Sequence, residues 1–224
     1  MTEIEHPLLE KVVNSPEVQA YLKAADDNFV AMGYKEHGFR HAKLTSNIAG
    51  NVLKYLDYPQ NDIELAMIAG YLHDIGNSIS QEDHGQNGAI MSLEILEKLE
   101  IPYEKIFPVI NAIGSHEDKD ADPAGPLSAA VILGDKTDVH HSRVRSKDLK
   151  LLDLHGRVNY ACQRAFLRVS KESKMISLEL TIDTNICPVM EYFEIFLSRT
   201  NFCRKASKAL DCKFELYINK DKFI

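Results

Sequence analysis

Between Ile63 and Leu72 the chain has almost no polar stripe: Ile63, Leu65, Ala66, Met67, Ile68, Ala69 and Leu72 require a helix surrounded on most sides. Such a helix takes the centre of a domain, and the rest of the chain must be arranged around it. Directly after it come His73-Asp74-Ile75-Gly76-Asn77. The pattern predicts that Gly76 stops the helix in a left-handed C-terminal cap, which delivers a His and an Asp to the end of a buried element. Adjacent helical side chains diverge by about 100°. His73 and Asp74 therefore serve one site only if something sits between them, and a metal ion, or two ions sharing the carboxylate, meets that requirement.

Helical periodicity extends to both sides. Two pieces are expected between Pro7 and Met32, the second starting near Pro16 with Ser15 as N-cap and ending at Gly33. From about Glu36 to Tyr55 the apolar series Leu44, Ile48, Val52 and Leu53 also places His37 and His41 on one helical face. Asn61 or Asp62 is expected to cap the central helix. Further helices follow over about Gln86 to Leu99, with His84 at or just before the start, and from Pro102 to Ser115-His116-Glu117. Another runs from Pro126 to about Val139 and carries Asp135-Lys136-Thr137-Asp138.

Past about Leu154 the period changes. Ile176, Leu178, Leu180 and Ile182 alternate with polar residues, Phe166 to Ser170 offers a partner strand, Val189 to Leu210 reads as an amphipathic helix, and Phe214, Leu216 and Ile218 as a last strand. The expected fold class is α+β: a mainly helical bundle over residues 1–155, then a small antiparallel β-β-α-β subdomain over residues 156–224, whose helix covers one face of its sheet.

Acids outnumber Lys and Arg by 33 to 26 in the 224 residues, which argues against a nucleic-acid partner on bulk charge. No run of about 18 apolar residues is present, and the acidic start Met1-Thr2-Glu3-Ile4-Glu5 lacks an apolar leader core. A cytoplasmic protein with no membrane partner is the expectation. Cys162, Cys187, Cys203 and Cys212 show no Cys-x-x-Cys spacing and read as free buried thiols.

In order, the candidate ligands are His37, His41, His73, Asp74, His84, His116 and Asp135. Any one of these histidines is by itself an ordinary hydrogen-bonded residue; seven candidate ligands on five successive elements are not. Here the sequence resembles the HD superfamily of metal-dependent phosphohydrolases. The resemblance rests on His41, the His73-Asp74 pair 32 residues later, and Asp135. His84-Gly85-Gln86-Asn87-Gly88-Ala89 is similar to the His-x-x-x-Gly-Ala element of dinuclear members, and Ser115-His116-Glu117 to their His-His-Glu element with Ser115 in place of the first His. His37 matches the place where some members of the HD-GYP branch carry a Glu ligand. The chain departs from the family where Asn77 stands in place of a frequent Lys, and no Gly-Tyr-Pro signature follows His116, which argues against that branch.

The resemblance implies a first divalent ion on His41, His73, Asp74 and Asp135, with Asp74 bridging to a second on His84, His116 and His37. Mn, Fe, Co, Ni or Zn suits such a shell. The implied reaction is hydrolysis of a phosphate ester of a small metabolite or nucleotide by metal-activated water, with Asp74 catalytic; Lys136, Arg143 and Arg145 are candidates to contact the phosphate, Lys136 also as a catalytic residue, against the alternative of solvated surface charges. Asp138 reads as a residue that orients a ligand. A di-iron oxygenase on the same fold and a non-catalytic metal-bound sensor or scaffold are the alternatives, and the C-terminal subdomain is read as a surface for homodimerisation or docking.

Overall fold

A computed structural model describes residues 6–31, 36–118, 121–145, 148 and 152–224. Gly33 and residues 1–5, on which two of the expectations above fall, lie outside them. Two N-terminal helices, α1 (Pro7–Val13) and α2 (Pro16–Ala31), precede α3 (Phe39–Tyr55), the central α4 (Gln60–Leu72), α5 (His84–Lys98), α6 (Tyr103–Ser115) and α7 (Pro126–Lys136). Then come α8 (Leu154–Ala161), β1 (Cys162–Ser170), β2 (Met175–Ile182), α9 (Val189–Ala209), β3 (Lys213–Ile218) and β4 (Asp221–Lys222). The protein is α+β, with the small four-stranded sheet after the helical part.

The central helix is buried as its composition requires: every residue from Ile63 to Leu72 except Met67 is buried. Even its Glu64 is turned to structural use, its carboxylate accepting from the backbone N–H groups of Leu8 and Leu9 and so closing the first turn of α1 onto α4. Around α4 the helices approach unusually closely because α3 presents Ala42, Thr45, Ser46, Ala49 and Gly50 inward. A Cβ on Gly70 of α4 would lie 2.9 Å from Ser46 Cα, and one on Gly134 of α7 only 2.7 Å from the Thr45 carbonyl oxygen. Glycine at both positions lets α4 and α7 lie against α3 at the level of Thr45, one turn beyond His41. Candidate ligands on three helices are brought within reach of one another by this packing.

Two local expectations are corrected. Gly76 does not end α4 in a left-handed cap; the helix stops at Leu72 and the chain continues into a 3-10 turn over Ile75–Ser78. The residue is glycine because a Cβ there would fall 2.0 Å from the His84 carbonyl oxygen and 2.6 Å from the Gly88 amide. The absence of a side chain thus seats the α4 end directly on the start of α5. Nor does Asn61 or Asp62 cap α4, whose N-cap is Pro59 without a side-chain bond.

The C-terminal sheet has the order β1-β2-β3-β4 and is mixed rather than wholly antiparallel. β1 pairs with β2 and β3 with β4 antiparallel, whereas β2 and β3 run parallel, Leu178 opposite Leu216. The reason is α9, which crosses over between them and returns the chain to the same end of the sheet. Tyr192, Phe196, Cys203 and Ala206 of α9 are buried with Ile176, Leu178, Leu180, Leu216 and Ile218, and one contiguous apolar cluster runs from Val12 to Ile218. α9 also packs along α7. All four cysteines are free and buried.

Candidate metal centre

The centre is built from helix ends. His73 is the C-cap of α4 and His116 that of α6, His84 opens α5, Asp135 lies in the last turn of α7, and His41 is in the first turn of α3. His41 Nε2 is 3.5 Å from Asp74 Oδ2 and 3.4 Å from Asp135 Oδ1. His73 Nε2 is 3.5 Å from Asp74 Oδ2 and 3.9 Å from Asp135 Oδ1. Across the Asp74 carboxylate, Oδ1 is 3.5 Å from His84 Nε2, which lies 3.1 Å from His116 Nε2. One oxygen of Asp74 therefore faces His41 and His73, and the other faces His84.

Hydrogen bonds fix which nitrogen each imidazole offers. His73 Nδ1 donates to the Gly70 carbonyl at 2.9 Å, His84 Nδ1 to that of Gln81 at 3.0 Å, and His116 Nδ1 to that of Ile113 at 2.6 Å. A carbonyl only accepts, so each ring carries its proton on Nδ1 and a lone pair on Nε2 when neutral. His41 does the same through Asp138 Oδ2 at 2.7 Å. Four rings thus aim Nε2 inward, the arrangement in which an outer hydrogen bond orients a metal-ligating histidine. The inner atoms of His41 and His73 are buried with no hydrogen-bond partner among the described residues. Two nitrogens sharing one ion at bond lengths of about 2.1 Å and right angles stand about 3 Å apart, which is the His84 to His116 separation. The residues present fit divalent cations on both sides of Asp74.

His37 joins the cluster differently. It lies on the His41 side of Asp74, away from His84 and His116, and comes within ligand distance of His41 and Asp74. Both its ring nitrogens are engaged: Nδ1 donates to Asp74 Oδ2 at 3.0 Å, and Nε2 accepts from the Arg143 guanidinium at 2.8 Å. Asn77, in the place of the family's frequent Lys, donates its amide to Asp74 Oδ1 at 2.9 Å. Each oxygen of the central carboxylate is thereby held by one neutral donor. Glu117, which spacing alone does not single out, is within ligand distance of His84 and His116; its position directly after His116 was the available signal.

The three expected phosphate contacts are all paired. Lys136 is buried, with Nζ 2.6 Å from Asp135 Oδ2 and also bonded to Glu117. Arg143 is buried rather than superficial and gives its donors to the Asp138 carbonyl and His37. Arg145 is bonded to Asp26. His140 is held against the Gln163 carbonyl and Ser142.

These contacts set the protonation of the centre. Burial pulls His41 down, as does Arg143, but the facing carboxylates of Asp135 and Asp138 outweigh both and hold it up at about 9. Burial and then Arg143 take His37 down to about 3, and burial with the neighbouring His73 takes His116 down to about 4. His73 is lowered by burial. Burial alone would raise Asp74 and Asp135, but His73 and His37 beside the first and Lys136 and His41 beside the second hold both well below the usual carboxylate range. Both carboxylates are ionised at neutral pH.

Residues 34–154 match the family model for the HD domain. That is more than half of the chain, which accordingly belongs to the HD-domain family, a superfamily of metal-dependent phosphohydrolases. Among curated relatives, an uncharacterised protein of Methanocaldococcus jannaschii, MJ1020, is 26% identical over 199 residues, covering 78% of this chain and 76% of that protein. Ribonuclease Y of Latilactobacillus sakei is 32% identical over 114 residues, and ribonuclease Y of Bacillus subtilis 30% identical over 117. These matches take in 51% and 52% of this chain but only 19% and 21% of the ribonucleases. Among the described residues no helix is long and apolar enough to cross a membrane.

Proposed function

We propose that this protein is a dinuclear metal-dependent phosphohydrolase that cleaves a phosphate monoester of a small metabolite or nucleotide. The observation that carries the reading is the convergence of four identically oriented imidazoles on the two faces of the Asp74 carboxylate, with the inner nitrogens of His41 and His73 left without partners. His41, His73, Asp74 Oδ2 and Asp135 Oδ1 would hold one ion; Asp74 Oδ1, His84 and His116 would hold the other. Bound there, divalent cations supply acidification of water, from a pKa of 15.7 toward about 7 in favourable cases, and neutralisation of the phosphoryl oxygens.

The chain's own contribution is positioning. His37 and Asn77 clamp the two oxygens of Asp74 so that neither rotates out of line. Lys136 holds Asp135 Oδ2 and leaves Oδ1 facing His41 and His73. Asp138 keeps the His41 proton on Nδ1. Because the ligands are nearly all buried, polar groups around the reacting phosphate act in a medium where charge interactions are strong.

The test is metal analysis of the purified protein, followed by hydrolysis assays with Mn, Co, Ni, Mg and Zn on p-nitrophenyl phosphate, bis-p-nitrophenyl phosphate and a panel of phosphorylated metabolites. Two equivalents of metal and monoester cleavage are expected. The ribonuclease Y matches favour a second reading, a phosphodiester substrate, and preferential cleavage of the diester or of a short RNA would establish it instead. Oxygen consumption by the iron-loaded protein without phosphate release would overturn both in favour of oxygenase chemistry.

A further inference from the structure

Among the described residues Lys136, Arg143 and Arg145 are each committed to carboxylates, carbonyls or His37, apart from Arg143 Nε, which lies 3.5 Å from Asp138 without a hydrogen bond, and Asn77 stands in place of a lysine. A further cation stands on the C-terminal helix. Arg199 of α9 has its Nη1 buried with no hydrogen-bond partner among the described residues, and its Cζ lies 5.1 Å from the centroid of the Phe196 ring. A buried guanidinium N–H without an acceptor is rare in a folded protein and marks a place where a partner belongs.

The helical period says where that side chain is. Phe202 and Cys203, three and four residues further on, share the Arg199 face of α9. The Phe202 ring lies 5.2 Å from Lys136 Nζ, the same ammonium that grips Asp135, and Cys203 is buried within electrostatic range of Asp135, Lys136 and Arg199. Arg199 also acts on the two paired cations on either side of the centre, Lys136 and Arg143. The α9 face that carries Arg199 is therefore the face turned to the α7 end of the metal centre, and the residue as a whole is only partly buried although Nη1 itself is covered.

We infer that Arg199 binds the phosphoryl group of the substrate, so that α9 forms a wall of the active site and the C-terminal subdomain completes it. The inference rests on the phosphohydrolase reading and names the contact that takes over from the missing lysine. A guanidinium beside an aromatic ring suits the bidentate geometry of a terminal phosphate better than that of a neutral group. It also gives the α7–α9 packing a function: the helix is held against Lys136 through Phe202, one turn from the arginine.

The experiment compares the full-length wild type, Arg199→Met and Arg199→Lys, each loaded with Mn. Inorganic phosphate binding is measured by titration calorimetry, together with metal content, circular dichroism and p-nitrophenyl phosphate kinetics. Arg199→Met is expected to keep the wild-type metal content and helicity while phosphate affinity falls, and KM rises, by about tenfold or more, the worth of one charged contact. Arg199→Lys, a point charge without the fork, should fall between them. Phosphate affinity within twofold of wild type in a folded, metal-replete Arg199→Met would overturn the assignment, as would a wild type that binds no phosphate. Should Arg199→Met lose its helicity, Arg199→Lys decides, unchanged phosphate affinity and KM again overturning it. A wild type that binds phosphate through Arg199 but hydrolyses neither the chromogenic esters nor any of the phosphorylated metabolites would sink the phosphohydrolase reading and leave the anion contact standing.

Discussion

Asp138 is the residue whose loss should be most informative, because it belongs to the centre without facing it. Its Oδ2 accepts from His41 Nδ1 and from Arg40 Nη2, both at 2.7 Å, and the Arg143 Nε lies 3.5 Å away. The Asp138 and Arg143 side chains are 0% and 1% exposed, so Asp138→Asn would leave a buried guanidinium without its carboxylate. Breaking one partner of a buried pair costs about 3–5 kcal/mol, and the two charged hydrogen bonds, at about 1.5–3 kcal/mol each, describe the same loss and are not added to it. Arg40 is one-third exposed and keeps Glu36, so little of the effect belongs to it. With a urea m-value near 3 kcal/mol/M, an order-of-magnitude choice for a chain of this size, the midpoint of the metal-free protein should fall by about 1–2 M. Metal affinity should fall about 10–100-fold, as when an outer-shell partner of a ligating histidine is lost. Urea titration of the metal-free protein and chelator competition for Mn measure the two effects. A midpoint within about 0.3 M of wild type and an unchanged metal affinity would refute the claim that Asp138 fixes His41.

Replacing His73 or Asp74 by Ala should abolish stoichiometric metal retention and hydrolysis while leaving far-UV circular dichroism largely intact; full metal in both variants, measured by emission spectroscopy, would count against the assignment. In the metal-free protein the proton on His41, raised to about 9, contributes stability that is complete below about 6.5 and is lost as pH rises through 9. His37 and His116, lowered to about 3 and 4, act in the opposite sense, and stability should fall as pH drops below about 6.5 toward those values. Denaturation midpoints of metal-free protein at pH 4.5, 6.5 and 9 should therefore peak at the middle value, with the alkaline limb removed by added Mn, which displaces the proton. Gly134→Ala would press a Cβ to 2.7 Å from the Thr45 carbonyl oxygen and force α3 and α7 apart, costing about 1–3 kcal/mol and weakening metal binding, whereas Gly125→Ala, which meets nothing within 4 Å, should do neither.

The helices and the ligand positions could be read from the chain because both depend on local spacing: a residue's face follows from its number within a helix, and His41, the His73-Asp74 pair and Asp135 sit at helix ends that apolar periodicity marks. What stayed hidden depends on partners distant in sequence. Alternation in Ile176 to Ile182 shows a strand with one buried face and says nothing of its neighbour's direction, which α9 determines by crossing over. Gly76 was legible as a special position but not as the right kind, since its close approach to His84 and Gly88 comes from tertiary packing. Arg143 carries the average expectation of exposure for its residue type, and only its meeting with His37 and Asp138 buries it. Arg199 lies in no motif at all; its signal is an unpartnered atom, visible only once α9 is set against α7.

The charges around the centre connect these points to the kind of ester that fits. Asp74, Asp135, Asp138, Glu36 and Glu117 contribute five negative charges, and Lys136, Arg143 and Arg40 three positive ones, leaving two negative charges while the imidazoles are neutral. In the metal-free protein the proton on His41 offsets one of them, which is why that ring holds a proton so far above its ordinary range. One divalent ion would make this cluster neutral; two would leave it doubly positive, before the charge of Arg199 on α9 is counted. A doubly positive centre matches the dianion of a phosphate monoester more closely than the single charge of a diester. A lysine at position 77 would have added a fixed positive charge beside Asp74, opposing a second ion at the carboxylate that two ions would share. Asparagine there holds the carboxylate without that opposition, and on the inference above Arg199 of α9 supplies the cation for the phosphate instead.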